Sequence, residues 1–346
     1  MEGQKQALIT GITGQDGSYL TEYLISLGYS VHGIVRRHSL DGLPLGKIIE
    51  RHKNVYTHYG DLQNSEQVVG IFNQVDLDEV YHLGAQSHVG ASFDVPEHTG
   101  NVVALGTTRI LEAIRRCCNP DVRMYNAATS EMFGLQKPPQ SEITPFHPRS
   151  PYACAKLYGY WMVKNYRDGY NIHASNGVLF NHESPRRGDN FVTRKITKAV
   201  TNILAKKQDK LILGDLSAKR DWGFAPEYVM VMHKMLQQDQ AGDYVIGTGE
   251  THTVSDFVRE VFAYADLDVD KYVHSDPMFM RPTDVDELCA DTTKSRKVLG
   301  WKPKIKMKEL SKIMLDADMR AAGLEVFGDG DKIIKNSFKK KWWYGD

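Results

Sequence analysis

The chain has 346 residues, 41% of them hydrophobic, enough to bury a full core in one large or two modest domains, and two are expected. Lysine plus arginine equals aspartate plus glutamate at 43 each, so no overall field draws the chain to nucleic acid or an anionic membrane, and any anion must be held locally. The four cysteines, Cys117, Cys118, Cys154 and Cys289, include no CxxC pair or nearby histidine cluster at zinc spacing, so no metal site is expected and free thiols in a reducing compartment are.

The first element begins within a few residues of Met1. Ala7-Leu-Ile-Thr-Gly-Ile-Thr-Gly-Gln-Asp-Gly-Ser-Tyr-Leu20 reads as strand, phosphate loop and helix. The glycines let the backbone approach a diphosphate, and the helix start points unpaired N–H groups at negative charge. Gly11, Thr13, Gly14, Gln15, Asp16 and Gly17 are therefore expected cofactor contacts. The spacing is Gly-x-x-Gly-x-x-Gly rather than the Gly-x-Gly-x-x-Gly fingerprint, so the next strand carries weight. Ser30–Val35 ends in Arg36-Arg37, where an NAD-binding fold places an acid on the ribose 2′-hydroxyl; two guanidiniums favour a 2′-phosphate, hence NADP.

A polar segment and a helical stretch around Ile48-Ile49 follow, then a strand at Val55–Tyr59 and Gly60-Asp61-Leu62. Asp61 and Leu62 stand where an adenine edge is contacted, and Asp61 can also cap the helix Ser65–Phe72. After the strand Glu79–Leu83, the small residues of Gly84-Ala-Gln-Ser87 let a flat ring lie on the backbone, which makes Leu83, Ala85, Gln86 and Ser87 cofactor candidates. A helix is expected near Asn101–Arg115. The strand Val122–Ala128 ends in Thr129-Ser130-Glu131, two hydroxyls and a carboxylate at the end where open α/β sheets bind ligands. A proline-rich loop leads to Ser150-Pro151, a cap and first-turn signal. Tyr152 and Lys156 then share a helix face four residues apart. An ammonium there is expected to lower the phenol's pKa.

This alternation predicts an α/β fold: a doubly wound parallel sheet of Rossmann type, with a smaller α/β substrate-binding domain. We assign residues 1–182 to the NADP-binding domain, with 218–248 returning to it. Residues 183–217 and 249–325 form the substrate domain, and 326–346 a basic tail whose aromatics tuck against the body. No apolar run can span a bilayer, so a cytoplasmic location is expected.

With these residues in place the chain resembles the extended short-chain dehydrogenases/reductases, and within them the GDP-mannose 4,6-dehydratase family. The resemblance runs through Gly11–Gly17, Leu83–Ser87, Thr129–Glu131, Ser150–Lys156, Phe180-Asn-His-Glu-Ser-Pro-Arg-Arg-Gly188, Arg220-Asp-Trp222, Arg281-Pro282 and Leu299–Pro303. It implies a redox-neutral dehydration of GDP-mannose with bound NADP. Tyr152 would take the 4-hydroxyl proton, Thr129 polarise the C4 oxygen, and Lys156 hold the nicotinamide ribose. Glu131 would remove the C5 proton and help the C6 hydroxyl leave. His182 and Arg187 are implied cofactor contacts; Ser87, Asn181, Lys195, Arg220 and Arg281 are implied substrate contacts, with Arg186 solvated. For Arg220 a structural pair with Asp221 or Asp215 stays open. Where the family has tyrosine, position 98 holds His98. The segment after Arg36 resembles a loop that relatives share across a subunit interface, so a homodimer or homotetramer is implied. Running the first step backward with NADPH would give GDP-D-rhamnose. A nucleotide-sugar 4-epimerase, which needs no carboxylate at 131, and a non-catalytic NADPH sensor are the other readings.

Overall fold

The computed structural model describes residues 3–36, 51–279 and 281–345. Arg37 and the helical stretch expected around Ile48-Ile49 lie outside the described residues. The strands in chain order are β1 (Gln6–Thr10), β2 (Ser30–Val35), β3 (Val55–Tyr59), β4 (Glu79–His82), β5 (Arg123–Thr129), β6 (His173–Leu179), β7 (Asn181–Glu183), β8 (Leu211–Leu213), β9 (Lys219–Arg220), β10 (Trp222–Phe224), β11 (Asp243–Ile246), β12 (His252–Thr253) and β13 (Val273–Ser275). Seven form one parallel sheet in the order β11-β6-β5-β4-β1-β2-β3. The reversal between β1 and β4 opens the crevice in which such sheets take ligands.

Both faces of this sheet are covered. Along β1, Ala7 and Ile9 join one apolar cluster and Leu8 the other, as the period of two requires. The first cluster packs Tyr19, Leu20 and Leu24 of the helix Gln15–Ser26 against Tyr228, Val229 and Met232 of the helix Ala225–Leu236. It continues through Phe257, Trp301, Leu310 and Met314 toward the C-terminal helices. The second holds Val68, Ile71 and Phe72 with Ile110, Leu111 and Ile114. β10 pairs with β7 and β11 with β6, so residues 222–246 are bonded to strands that follow β5.

One element departs from expectation. Instead of a single regular helix from Asn101, a π-helical turn at Gly100–Leu105 leads into an α-helix at Gly106–Cys117. Arg109 holds the widened turn open, its guanidinium donating to the Asn101 carbonyl (3.1 Å) and to Asn101 Oδ1 (2.9 Å).

The long helix Pro151–Tyr170 follows its sequence signals. Ser150 Oγ accepts from Ala153 N–H (3.1 Å), Pro151 occupies the first turn, and Asn171 ends the helix at φ 55°. Tyr152, Lys156, Tyr160 and Val163 are buried along one stripe, which turns the pair at 152 and 156 inward.

Candidate active site

A cleft of about 1470 Å³ opens at the carboxyl ends of the sheet strands. It is lined by Gly11, Thr13, Gly14, Gln15, Asp16, Gly17, Arg36, Asp61, Leu62, Leu83, Ala85, Gln86, Ser87, Thr129, Glu131, Tyr152, Lys156, Asn181, His182, Arg187, Lys195, Arg220 and Arg281. The structure thus brings every described site candidate to one cleft.

The glycine loop fits a dinucleotide. Gly11 turns at φ 71°, and a Cβ there would lie 2.8 Å from Gly84 N. A Cβ on Gly17 would strike the Gly11 carbonyl. Only glycine keeps the loop this tight against its own helix. Gly14 gives that helix no side-chain cap, which leaves first-turn N–H groups for a phosphate.

A buried relay fixes the facing loop. Gly84 N–H donates to Thr10 Oγ1 (2.9 Å), and Thr10 Oγ1 bonds His82 Nδ1 (2.8 Å). His82 Nε2 bonds Thr107 Oγ1 (3.2 Å), which donates to the Val103 carbonyl (2.8 Å). Because Thr107 gives its proton to Val103, His82 Nε2 carries the hydrogen and Nδ1 accepts from Thr10. Burial, with the charge of Lys156, lowers the His82 pKa to about 3, so the ring is neutral.

Asp61 does not cap the helix Ser65–Phe72. Asn64 does, its side chain accepting from Gln67 N–H (3.0 Å). Asp61 Oδ1 accepts from Gln63 N–H (2.9 Å) instead, because the turn from Gly60 leaves it three residues short of the cap.

At the end of β5, Thr129 Oγ1 accepts from Glu131 N–H (3.2 Å) and also hydrogen-bonds the Tyr152 phenol. Glu131 is only 8% exposed. Lys156 Nζ donates to the Ala127 carbonyl (2.6 Å) and stands 6.0 Å from the Tyr152 ring centre. The expected lowering of the phenol is not what the protein alone produces. Burial first, then the Glu131 charge, push Tyr152 well above the ordinary tyrosine value, and the Thr129 hydrogen bond only partly offsets them.

Burial lowers Lys156 to about 8, and the Asp16 charge opposes that shift. The ammonium is therefore present below about pH 8 and lost above it. The alkaline limb of kcat/KM is expected near that pH, and Asp16→Asn should move it to lower pH by removing the charge that holds the proton on. Rate–pH profiles of the two proteins check this, and an unmoved limb would rule out the coupling.

His182 reaches the cleft with both ring nitrogens engaged: Nδ1 with the Phe180 carbonyl (2.8 Å) and Nε2 with Asp16 Oδ2 (2.7 Å). Its ring stacks on Tyr228 at 4.5 Å. Burial works against both charges, yet their attraction and hydrogen bond prevail, leaving Asp16 below and His182 above its ordinary value. Arg187 Nε lies 3.1 Å from Glu183, its guanidinium 3.6 Å from the Phe191 ring centre. Arg186 is not solvated. Its side chain is only 5% exposed, with Nη1 2.7 Å from Glu22 Oε2, because the chain folds back onto the helix Gln15–Ser26.

Arg220 pairs with neither Asp221 nor Asp215. It donates to the Val285 carbonyl (2.7 Å) and Asp284 Oδ1 (3.0 Å), and its Nε is 3.9 Å from Glu131 Oε1. Arg281 meets the same Asp284 oxygen at 3.2 Å, so one carboxylate holds two guanidiniums at the cleft. Asp221 instead accepts from the N–H groups of Thr248, Gly249 and Ala290. Sequence reading missed Lys198 and Asn202, which line the cleft three and seven residues after Lys195 on the helix Val192–Leu204. That spacing was the available signal. His98 is exposed on the cleft wall.

The sheet order, the glycine loop opening the first helix, and an inward Tyr152/Lys156 pair beside Thr129 define a short-chain dehydrogenase/reductase. The profile of the GDP-mannose 4,6 dehydratase family matches residues 8–314. The chain is 49% identical over 332 residues to GDP-mannose 4,6 dehydratase 1 of Arabidopsis thaliana, covering 93% of this chain and 92% of that one. It is 47% identical over 340 residues to GDP-mannose 4,6 dehydratase of Homo sapiens, covering 90% and 91%. Among solved structures, the UDP-glucose 4-epimerase of Thermus thermophilus in complex with NAD aligns with a TM-score of 0.79 at 24% identity, covering 92% of this chain and 99% of that one, a likeness of fold. The chain belongs to the GDP-mannose 4,6-dehydratase family.

Proposed function

We propose that the protein converts GDP-D-mannose to GDP-4-keto-6-deoxy-D-mannose and water. The observation that carries this is Glu131, a buried carboxylate beside Thr129 and Tyr152 on the cleft wall. An epimerase needs the tyrosine alone.

When bound, NADP supplies a reversible hydride acceptor and a positive charge near Tyr152. The residues to hold it are the glycine loop, Asp61 and Leu62, Leu83 to Ser87, and Arg187. NADP is preferred to NAD because Arg36, at the end of β2, lines the cleft where the 2′-position is read. The helix Pro151–Tyr170 and β5 converge on the sugar. Tyr152 accepts the 4-hydroxyl proton as C4 is oxidised, and Thr129 hydrogen-bonds the resulting carbonyl. The ketone acidifies C5–H. Glu131 removes that proton and gives it to the departing C6 hydroxyl, acting as base and then acid; the hydride taken from C4 would then return to C6 and a solvent-exchangeable proton would add at C5, giving the 4-keto-6-deoxy sugar. Arg220 and Arg281, which share Asp284, would bind the substrate diphosphate, and Asn181 and Lys195 would be further substrate contacts. Residues 183–217 and 249–325 form the substrate part, and 1–182 with 218–248 the cofactor part.

Mass analysis of the product from GDP-mannose with catalytic NADP tests this: loss of one water is expected. An unchanged mass with an inverted sugar centre would move the assignment to an epimerase, and no turnover of any nucleotide sugar to a sensor.

The protein also self-associates, as a homodimer or homotetramer, and acts in the cytoplasm. Supporting the first, Leu105, Tyr158 and Trp161 are 45%, 41% and 55% exposed on the adjoining stretches Gly100–Leu105 and Pro151–Tyr170, an apolar surface that a second copy would cover. Sedimentation of Trp161→Glu should shift toward monomer; an unchanged oligomer would place the contact elsewhere. Among the described residues no helix is long and apolar enough to cross a membrane.

A further inference from the structure

The C-terminal residues Lys339-Lys-Lys-Trp-Trp-Tyr344 lie beyond the 8–314 span of the family match, and no step of the reaction uses them. They are nonetheless fastened to the cofactor end of the molecule. Trp343 is 2% exposed, its ring 6.2 Å from Tyr19, 6.0 Å from Phe224 and 5.0 Å from Phe338. Trp342 lies 5.0 Å from Tyr23. Tyr19 and Tyr23 belong to the helix that the glycine loop opens.

The main chain of Tyr344 then completes a buried ion pair. Its N–H donates to Glu22 Oε1 (2.9 Å), and its carbonyl accepts from Arg186 Nη2 (2.7 Å). Arg186 Nη1 is 2.7 Å from Glu22 Oε2 and donates to Ser18 Oγ (3.1 Å), with the guanidinium 3.9 Å from the Tyr19 ring centre. Two turns of one helix thus hold the tail and Arg186 together.

From Arg186 the bonding runs on to the phosphate loop. Ser184 Oγ accepts from Arg186 N–H (3.0 Å) and donates to Gln15 Oε1 (2.8 Å). Gln15 Nε2 donates to the His182 carbonyl (3.0 Å), and the His182 ring holds Asp16. His182 and Arg187, on either side of this stitch, line the cleft.

We propose that the C-terminal tail is a positioning element for the cofactor. By burying Glu22–Arg186 and closing its hydrogen bonds, the tail clamps Asn181–Arg187 onto the phosphate-loop helix. Asp16, His182 and Arg187 then hold their geometry before a dinucleotide arrives, and preorganisation of that kind lowers the cost of binding. Without the tail, water reaches both charges and weakens their attraction. The proposal rests on the NADP reading above.

Isothermal titration with NADP compares the full chain, a chain ending at Ser337, and full-length Trp342→Ala and Trp342→Phe. The truncated chain is expected to bind NADP about tenfold more weakly, since ordering of the loop must then be met on binding. Trp342→Ala should show a smaller loss that Trp342→Phe restores. kcat at saturating NADP should be unchanged in all of them, a split that general destabilisation would not give. If the truncated chain does not fold, Trp342→Ala, at a half-buried residue, decides. Unaltered NADP affinity in the folded variants, or a fall in kcat with affinity intact, overturns the proposal alone. A full-length chain that binds no NADP overturns the cofactor reading and the proposal with it.

Discussion

Replacing Tyr152 with phenylalanine is expected to lower kcat about 10³-fold, the middle of the range for a positioned acid–base group, with GDP-mannose affinity nearly unchanged. The phenol is buried, hydrogen-bonded to Thr129 and pushed above its ordinary pKa by burial and the Glu131 charge. The hydroxyl is therefore a neutral phenol in the protein alone and becomes an acceptor only when positive charge is brought beside it. Phenylalanine keeps the ring that packs the start of the helix and removes only the oxygen. Binding by titration and turnover by product formation separate the two effects. A variant that turned over at the parental rate would remove Tyr152 from the chemistry.

Glu131→Gln should be comparably severe, but at a later step. Glutamine preserves the shape at the end of β5 and the backbone N–H that donates to Thr129. It cannot take the C5 proton or return one to the leaving hydroxyl. Loss of both duties lowers dehydration by about 10³-fold or more, while oxidation at C4 is untouched. The variant should accumulate GDP-4-keto-mannose in an amount matching the enzyme, detectable by rapid quench and mass analysis. Absence of that species together with lost turnover would mean that Glu131 acts before the ketone forms. Arg220 Nε lies 3.9 Å from Glu131 Oε1, so the variant also loses that ion pair.

How much of this was legible in the sequence depends on whether the signal is local. The glycine loop, the apolar strand runs and the Ser150-Pro151 cap act within a few residues, so they read directly. Tyr152 and Lys156 share a face by helix geometry alone. The misread features are set by distant parts of the chain. Arg186, two residues beyond Ser184, reads as surface charge until the fold lays it against Glu22, 164 positions earlier by residue number. Arg220 has acidic neighbours in sequence, yet its partner is Asp284, 64 residues away. The direction of the Tyr152 shift depends on how deeply the helix start is buried and on Glu131 arriving from the turn that follows β5. The π-turn at Gly100–Leu105 depends on Arg109 reaching back to Asn101. Asn64 outcompetes Asp61 as the cap by position alone, a case in which closer attention to spacing would have sufficed.

The central claim is dehydration with the C4 hydrogen kept inside the sugar. GDP-mannose carrying deuterium at C4, turned over with unlabelled NADP in catalytic amount, tests it most directly by mass and proton NMR of the product. The account predicts a product lighter by one water with the deuterium at C6. A dehydrated product with that label absent from C6, or a product of unchanged mass, would contradict it.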